Sequence, residues 1–107
     1  MEDMKFAFYS LSIPSSEHPD SNEDSIAYDS KGNWAVVLDG LGGTKAGKEA
    51  SNKALEVIKL SLDGWNQDDD FRAGEKLKTI IEEASLAVSQ EVPDGLTTVV
   101  VTKIVSL

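Results

Sequence analysis

Short runs of apolar and β-branched residues, separated by polar segments, predict three β-strands in the first third of the chain. The segments Asp24–Tyr28 and Trp34–Leu38 are short runs rich in apolar and β-branched residues, and Ser30–Asn33 between them has the composition of a hairpin turn. The aromatic and apolar segment Lys5–Ile13 predicts a further strand before this hairpin. We therefore expect the chain to begin with three strands.

Helical periodicity follows in the middle of the chain. Thr44 is a suitable N-cap for a helix that extends to about Leu62, and Gly64 suits the left-handed position that closes it. After the acidic segment Asn66–Asp70, expected to be a loop, a second helix is predicted over Phe71–Gln90. The predicted buried stripe of the first helix contains Ala46, Ala50, Ala54, Val57, Ile58 and Ser61. That of the second helix contains Leu77, Ile80, Ile81, Ala84 and Val88.

The last predicted element is a strand over Thr97–Val105, which follows a turn at Pro93–Gly95. Its β-branched residues point to both faces, a pattern that favours a central strand. The predicted order is β-β-β-α-α-β, an α+β fold with two helices on one face of a mostly antiparallel sheet. We expect residues 1–107 to form one domain that is part of something larger, because nothing predicted covers the second apolar face of the last strand.

Composition narrows the possible functions. The 107 residues carry a net charge of −9, which disfavours nucleic acid and anionic membranes as partners. The chain contains no cysteine, which excludes disulfides and thiol catalysis. The sequence has no apolar stretch of membrane-spanning length and no apolar signal-peptide core at the start, so a cytoplasmic location is expected.

The hairpin brings acidic residues together. With its tip at Lys31-Gly32, antiparallel pairing places Asp39 opposite Asp24, and Glu23 opposite Gly40. Carboxylates opposed in this way repel unless a cation neutralises them, and oxygen ligands suit Mg²⁺ or Mn²⁺. The alternative is that they are ordinary solvated loop ends, since 19 Asp and Glu residues make some acidic clusters inevitable. The residues alone leave both interpretations open.

A second motif overlaps this region. The segment 42–48 fits the first seven positions of a phosphate-binding loop, in which backbone N–H groups and a lysine, here Lys48, hold phosphate. The eighth position should be Ser or Thr but is Glu49, and Asp39–Leu41 separates the strand from the first glycine. Nucleotide binding is therefore the least favoured of the functions considered.

Four segments, in order, resemble the opening half of the metal-dependent serine/threonine protein phosphatases of the PP2C type. They are Asn22–Ser25, Val37–Gly43, Ala46–Ser51 and Gly95–Val101. The resemblance covers nearly the whole chain. It implies half of a sandwich in which two stacked sheets are flanked by helix pairs, with a second half that carries further metal ligands.

The resemblance also implies roles for individual residues. Asp39 would bridge two Mn²⁺ or Mg²⁺ ions as the catalytic carboxylate, and Gly40 would offer its carbonyl to one of them. Glu23 and Asp24 would support the other ion. Water acidified by the ions would then attack a phosphoserine or phosphothreonine ester of a phosphoprotein substrate. The missing ligands would come from a complementary half-domain or a homo-oligomer.

Several positions depart from the family pattern. Pro19, beside His18, stands where the family usually has a phosphate-binding arginine, and the chain's one arginine is Arg72. Leu41 occupies a position where some relatives have a histidine, and Leu96 replaces a common glycine. These departures leave a non-catalytic interaction module as the principal alternative to a phosphatase.

Overall fold

A three-stranded antiparallel sheet supports two helices in the computed structural model, which describes residues 7–13, 22–41 and 45–106. The elements in chain order are β1 (Asp24–Tyr28), β2 (Trp34–Leu41), α1 (Lys45–Asp63), a 3₁₀ helix (Gln67–Arg72), α2 (Ala73–Glu91) and β3 (Leu96–Lys103). The sheet order is β1-β2-β3 with both pairings antiparallel. The predicted α+β class is confirmed.

The predicted register of the hairpin is also confirmed. Asp24 pairs with Asp39, and Tyr28 pairs with Ala35. At the tip, Gly32 has a positive φ of 77°, a conformation that glycine adopts without steric cost. The N–H of Gly32 donates to the carbonyl of Asp29 at 2.9 Å, which closes the turn.

Both helices lie on one face of the sheet, as predicted. Along β2, alternate residues are buried, because one face contacts the helices and the other is open. The core joins β2, α1 and α2, and consists of Trp34, Val36, Leu38, Ala50, Ala54, Ile58, Leu62, Ile80, Ala84, Val88 and Val92. Among the described residues, no helix is long and apolar enough to cross a membrane.

The predicted first strand is wrong for the part of it that the structure describes. Residues 7–13 have no regular secondary structure, whereas Lys5 and Phe6 lie outside the described residues. Tyr9, Leu11 and Ile13 are 91%, 80% and 68% exposed. A strand requires a neighbour for its backbone hydrogen bonds, and local β-propensity alone does not supply one.

The last strand is at an edge and not in the centre of the sheet. Among the described residues β3 pairs only with β2. The central strand is β2, which has β1 on its other side. The side chains of Leu96, Val100 and their alternate neighbours face the open side of the sheet. Two-sided apolar composition therefore did not identify a central strand.

Smaller differences concern helix ends and faces. Gly64 does not adopt a positive φ, and the expected acidic loop is largely the 3₁₀ helix Gln67–Arg72. Thr44, the predicted N-cap, lies outside the described residues. In α1, Ala50, Ala54 and Ile58 are buried as predicted, and the buried face also includes Gly47, Ser51 and Leu62. In α2, Ile80, Ala84 and Val88 are buried as predicted, whereas Ile81 is 39% exposed.

Candidate functional site

The two predicted aspartates stand side by side on the open face of the sheet. The Gly40 N–H donates to the Glu23 carbonyl at 3.2 Å, so Gly40 and Glu23 form a hydrogen-bonded pair of the hairpin. The next pair, Asp24 and Asp39, is consequently of the non-hydrogen-bonded kind, in which opposed side chains are closest. The geometry that the sequence predicted for these carboxylates is present.

The electrostatics of this pair are unfavourable to two full negative charges. Partial burial raises the pKa of the Asp24 carboxyl, and its hydrogen bond to Asp39 and the charges of Asp39 and Glu23 raise it further. Lys48 acts in the opposite direction. A proton or a cation between Asp24 and Asp39 therefore relieves repulsion within the site.

Helix α1 binds the backbone of Glu23 and Asp24. The hydroxyl of Ser51, which is fully buried, donates to the carbonyl of Glu23 at 2.7 Å. Its oxygen also lies 2.9 Å from the hydroxyl oxygen of Ser25. One turn earlier, the Lys48 ammonium group donates to the carbonyl of Asp24 at 2.7 Å. These bonds fix the start of β1 relative to the helix.

Strand β3 holds the other aspartate. Asp39 pairs with Thr98, and the N–H of Asp39 donates to the Thr98 hydroxyl at 3.2 Å. The same hydroxyl lies 3.4 Å from the Asp39 carbonyl oxygen. Asp39 therefore has its backbone bound to β3 while its carboxylate faces Asp24.

Gly40 brings the end of β2 against α1. A β-carbon at Gly40 would collide with the carbonyl oxygen of Gly47 and lie 2.9 Å from that of Glu23. Because the N–H and C=O of one residue point to the same side in an antiparallel ladder, the Gly40 carbonyl is directed toward the β1 side of the strand. The main-chain ligand implied by the resemblance is therefore at the same end of the hairpin as the two carboxylates.

Other predicted positions are either distant or outside the described residues. His18, Pro19 and residues 42–44 are not among the residues that the structure describes. Arg72 ends the 3₁₀ helix, near the opposite end of the sheet, where Trp65 lies under the Lys103 ammonium group.

Two positions that depart from the family pattern pair with each other, and the lysine of the candidate phosphate loop binds the protein backbone. Leu41 and Leu96 are paired across β2 and β3, and both are exposed. Lys48, proposed as a phosphate ligand of a nucleotide loop, instead donates to the carbonyl of Asp24. Glu49 is paired with Lys45 at the helix surface. Nucleotide binding gains no support from these contacts.

The described residues supply a small ligand set. Among residues 7–13, 22–41 and 45–106, no three His, Cys, Asp or Glu side chains are grouped to hold a metal ion by themselves. Two opposed carboxylates and a nearby carbonyl are nevertheless a donor set of the kind that Mg²⁺ accepts, because this ion retains several waters and binds through one or two carboxylates. The donors fit a partial site completed by water or by another polypeptide.

Two residues of this region were not identified from the sequence as parts of a site, Ser51 of α1 and Thr98 of β3, and Lys48 was assigned a different role. Gly47 and Ser51, four residues apart, form a pair of small residues on one helix face, and that spacing is the signal that could have placed this face against the hairpin. Compared with protein-family models and with curated protein sequences, the chain matches none.

Proposed function

We propose that this chain is the N-terminal half of a metal-dependent phosphatase domain of the PP2C type, which hydrolyses phosphoserine and phosphothreonine in proteins. The observation that carries the proposal is the opposed pair Asp24 and Asp39, a repulsive arrangement that a divalent cation relieves. The motifs around this pair are those that resemble the phosphatase family.

In this proposal Asp39 and the carbonyl of Gly40 would hold Mn²⁺ or Mg²⁺, and Glu23 and Asp24 would support a second ion, largely through water. Bound metal supplies an acidified water and neutralises charge on the transferring phosphoryl group. The protein positions the ligands. The Thr98 hydroxyl, for example, accepts a hydrogen bond from the backbone N–H of Asp39.

The remaining ligands and the group that binds substrate phosphate belong to a complementary half-domain or a second copy in this proposal. The open face of the sheet favours such a partner, because Val37 and Val100 are 47% and 62% exposed there. The acidic surface does not favour nucleic acid or anionic membranes, and we place the protein in the cytoplasm.

An NMR titration with Mn²⁺ tests the metal site. In a ¹⁵N-resolved amide spectrum, we expect paramagnetic broadening to begin at Glu23–Ser25 and Asp39–Leu41, and Asp39→Asn to abolish it there. The matched control is Asp68→Asn, which removes one exposed carboxylate at the other end of the molecule. Broadening spread over the acidic surface, unchanged by Asp39→Asn, would refute the site.

Hydrolysis tests the activity separately. When the complementary half is present, release of phosphate from a phosphoserine peptide should require Mn²⁺ or Mg²⁺ and should be lost in Asp39→Asn. Activity that is undiminished in this variant would exclude the proposed chemistry, even if the hairpin binds metal.

A non-catalytic interaction module is the second candidate, and the exposed apolar residues of the open sheet face are the observation that favours it. This alternative predicts a folded protein without turnover under any metal. The amide titration also distinguishes it, since a module that has only the scaffold of the family shows diffuse broadening.

A further inference from the structure

Strand β3 presents an unpaired backbone edge. The N–H of Ile104 donates to the carbonyl of Asn33 at 2.8 Å, and hydrogen-bonded pairs recur at every second residue of an antiparallel ladder. Even-numbered residues of β3 therefore bond to β2. The backbone groups of Thr97, Val99, Val101 and Lys103 point away from the sheet, and no strand within the described residues pairs with them.

This edge has few of the features by which natural sheets prevent edge pairing. The eight residues of β3 include no proline, glycine or acidic residue, and their one charge is Lys103 at the end. The chain as a whole carries a net charge of −9. The edge therefore has no acidic residue on an acidic protein, so two copies can approach along it without repulsion between carboxylates of the paired strands.

A groove between α2 and the outer side of β3 adds side-chain space to this edge. Its volume is about 420 Å³, and its walls include Ile81, Ala84, Val88, Pro93 and Val99. A strand added beside β3 would direct alternate side chains to the helix side of the sheet, where this groove lies. Ser85 and Ser89, which continue from Ile81 at intervals of four residues, keep the facing surface of α2 small and uncharged.

The described N-terminal segment does not cover this edge. Phe8 contacts the ring of Tyr28 on β1, with ring centroids 6.3 Å apart. Residues 8–11 line a cavity with Ile26, Tyr28, Ala35 and Val37, over the part of the sheet formed by β1 and β2 and away from the outer edge of β3.

We propose that two copies of this chain pair through their β3 edges to form a continuous six-stranded antiparallel sheet. The register that matches the outward backbone groups places Val99 opposite Val101 of the second copy and Thr97 opposite its Lys103. Val100 then lies opposite Val100 at the two-fold axis. Four such pairs with two bonds each give about eight hydrogen bonds between the copies. The proposal does not depend on the metal site.

Amide exchange of the unaltered protein is the primary test. In the monomer, the amides of Thr97, Val99, Val101 and Lys103 should exchange rapidly and those of the even-numbered residues slowly. At concentrations where sedimentation shows a dimer, all of them should be protected. A protein that stays monomeric at every concentration, or a dimer whose four outward amides still exchange rapidly, would overturn the proposal.

A pair of lysine variants separates edge pairing from contact through the open face. Val100→Lys places two like charges at the two-fold axis and should weaken the dimer by about tenfold or more. Val37→Lys, on the same open face but in the central strand, should leave the dimer affinity unchanged. Equal weakening by both variants would mean that the copies associate through the open face and not through the edge.

Discussion

Gly40 at the end of β2 lies directly against the backbone carbonyl of Gly47 in α1, so that neither residue has room for a β-carbon. A β-carbon at Gly47 would lie 2.6 Å from the carbonyl oxygen of Leu41. Asp39 is the neighbour of Gly40 and Lys48 the neighbour of Gly47, so this backbone contact sets the distance between the aspartate pair and the helix that supports it.

The first prediction is that Gly47→Ala destabilises the protein by about 1–3 kcal/mol, the usual cost of forcing a methyl group into filled space. Gly74→Ala is the matched control, since Gly74 is also helical but has no atom within 4 Å of the added carbon. The control should gain about 0.5–1 kcal/mol because alanine is the better helix former. Denaturant unfolding measures both, and equal shifts in the two variants would contradict the proposed contact.

The second prediction concerns Asp24 and pH. Its carboxyl has a raised pKa in the folded protein, so the folded state binds the proton more readily than the unfolded chain, whose value is near 3.8. The free energy of unfolding should therefore fall as pH rises from that value through the raised pKa. Asp24→Asn removes this loss, and it should stabilise the metal-free protein at neutral pH by roughly 0.2–1 kcal/mol.

Thermal or denaturant unfolding across a pH series measures this effect. The gain from Asp24→Asn should vanish below about pH 3.8, where the carboxyl is protonated in both states. An Asp24→Asn variant that is less stable than the parent protein at neutral pH without metal would show that the aspartate pair is not repulsive.

The third prediction is that Ser51→Ala costs about 1–3 kcal/mol, because its buried hydroxyl joins the Glu23 carbonyl to the Ser25 hydroxyl. Ser89→Ala is the control. Its hydroxyl is exposed and bonds only the Leu86 carbonyl of its own helix, so the change should stay within about 0.5 kcal/mol. Similar effects in both variants would indicate that the network around Glu23 adds nothing.

The fourth prediction concerns Asp70 near the other end of the sheet. Hydrogen bonds from the Trp65 indole at 2.8 Å and from the Ser106 amide at 3.1 Å lower the pKa of this carboxyl. Its stabilising contribution is therefore present above the ordinary value of 3.8 and is lost as pH falls through the lowered pKa. Asp70→Asn should be less stable than the parent protein at neutral pH.

An acid titration completes this test. The difference in free energy of unfolding between Asp70→Asn and the parent protein should disappear at the lowest pH of the titration. The indole N–H resonance of Trp65 should shift with the same midpoint. Asp68→Asn, in the same 3₁₀ helix, should leave that resonance unchanged. An indole resonance that does not respond to pH in the parent protein would contradict the assigned bond.

Local chemistry was sufficient to predict the hairpin in detail. Gly32 at the tip permits the positive φ of the turn, and the length of the loop then sets every pair along the two strands, including Asp24 with Asp39. Register in a hairpin depends on neighbouring residues, which is why it could be read without knowledge of the rest of the fold.

Elements that depend on distant partners were predicted less well. The aromatic segment before Ile13 has strand-like composition but forms no strand in its described part, and β3 has the composition of a central strand but lies at an edge. In both cases the composition of the segment was that of a strand. What the sequence did not show was which strand, if any, lies beside it. Sheet neighbours are set by the whole chain and not by local propensity.

The sequence by itself determined the α+β class, the two helices and the opposed aspartates, because each follows from periodicity or from a short turn. Only the tertiary structure decided that Gly47, Ser51 and Leu62 belong to the buried face of α1, and with it the bonds from Lys48 and Ser51 to the carbonyls of Asp24 and Glu23. It also decided that Thr98 binds the backbone of Asp39 and that, within the part of the chain that the structure describes, no strand pairs with the outer edge of β3. These contacts join residues far apart in the chain, and they form only when the packing of helices on the sheet brings those residues together.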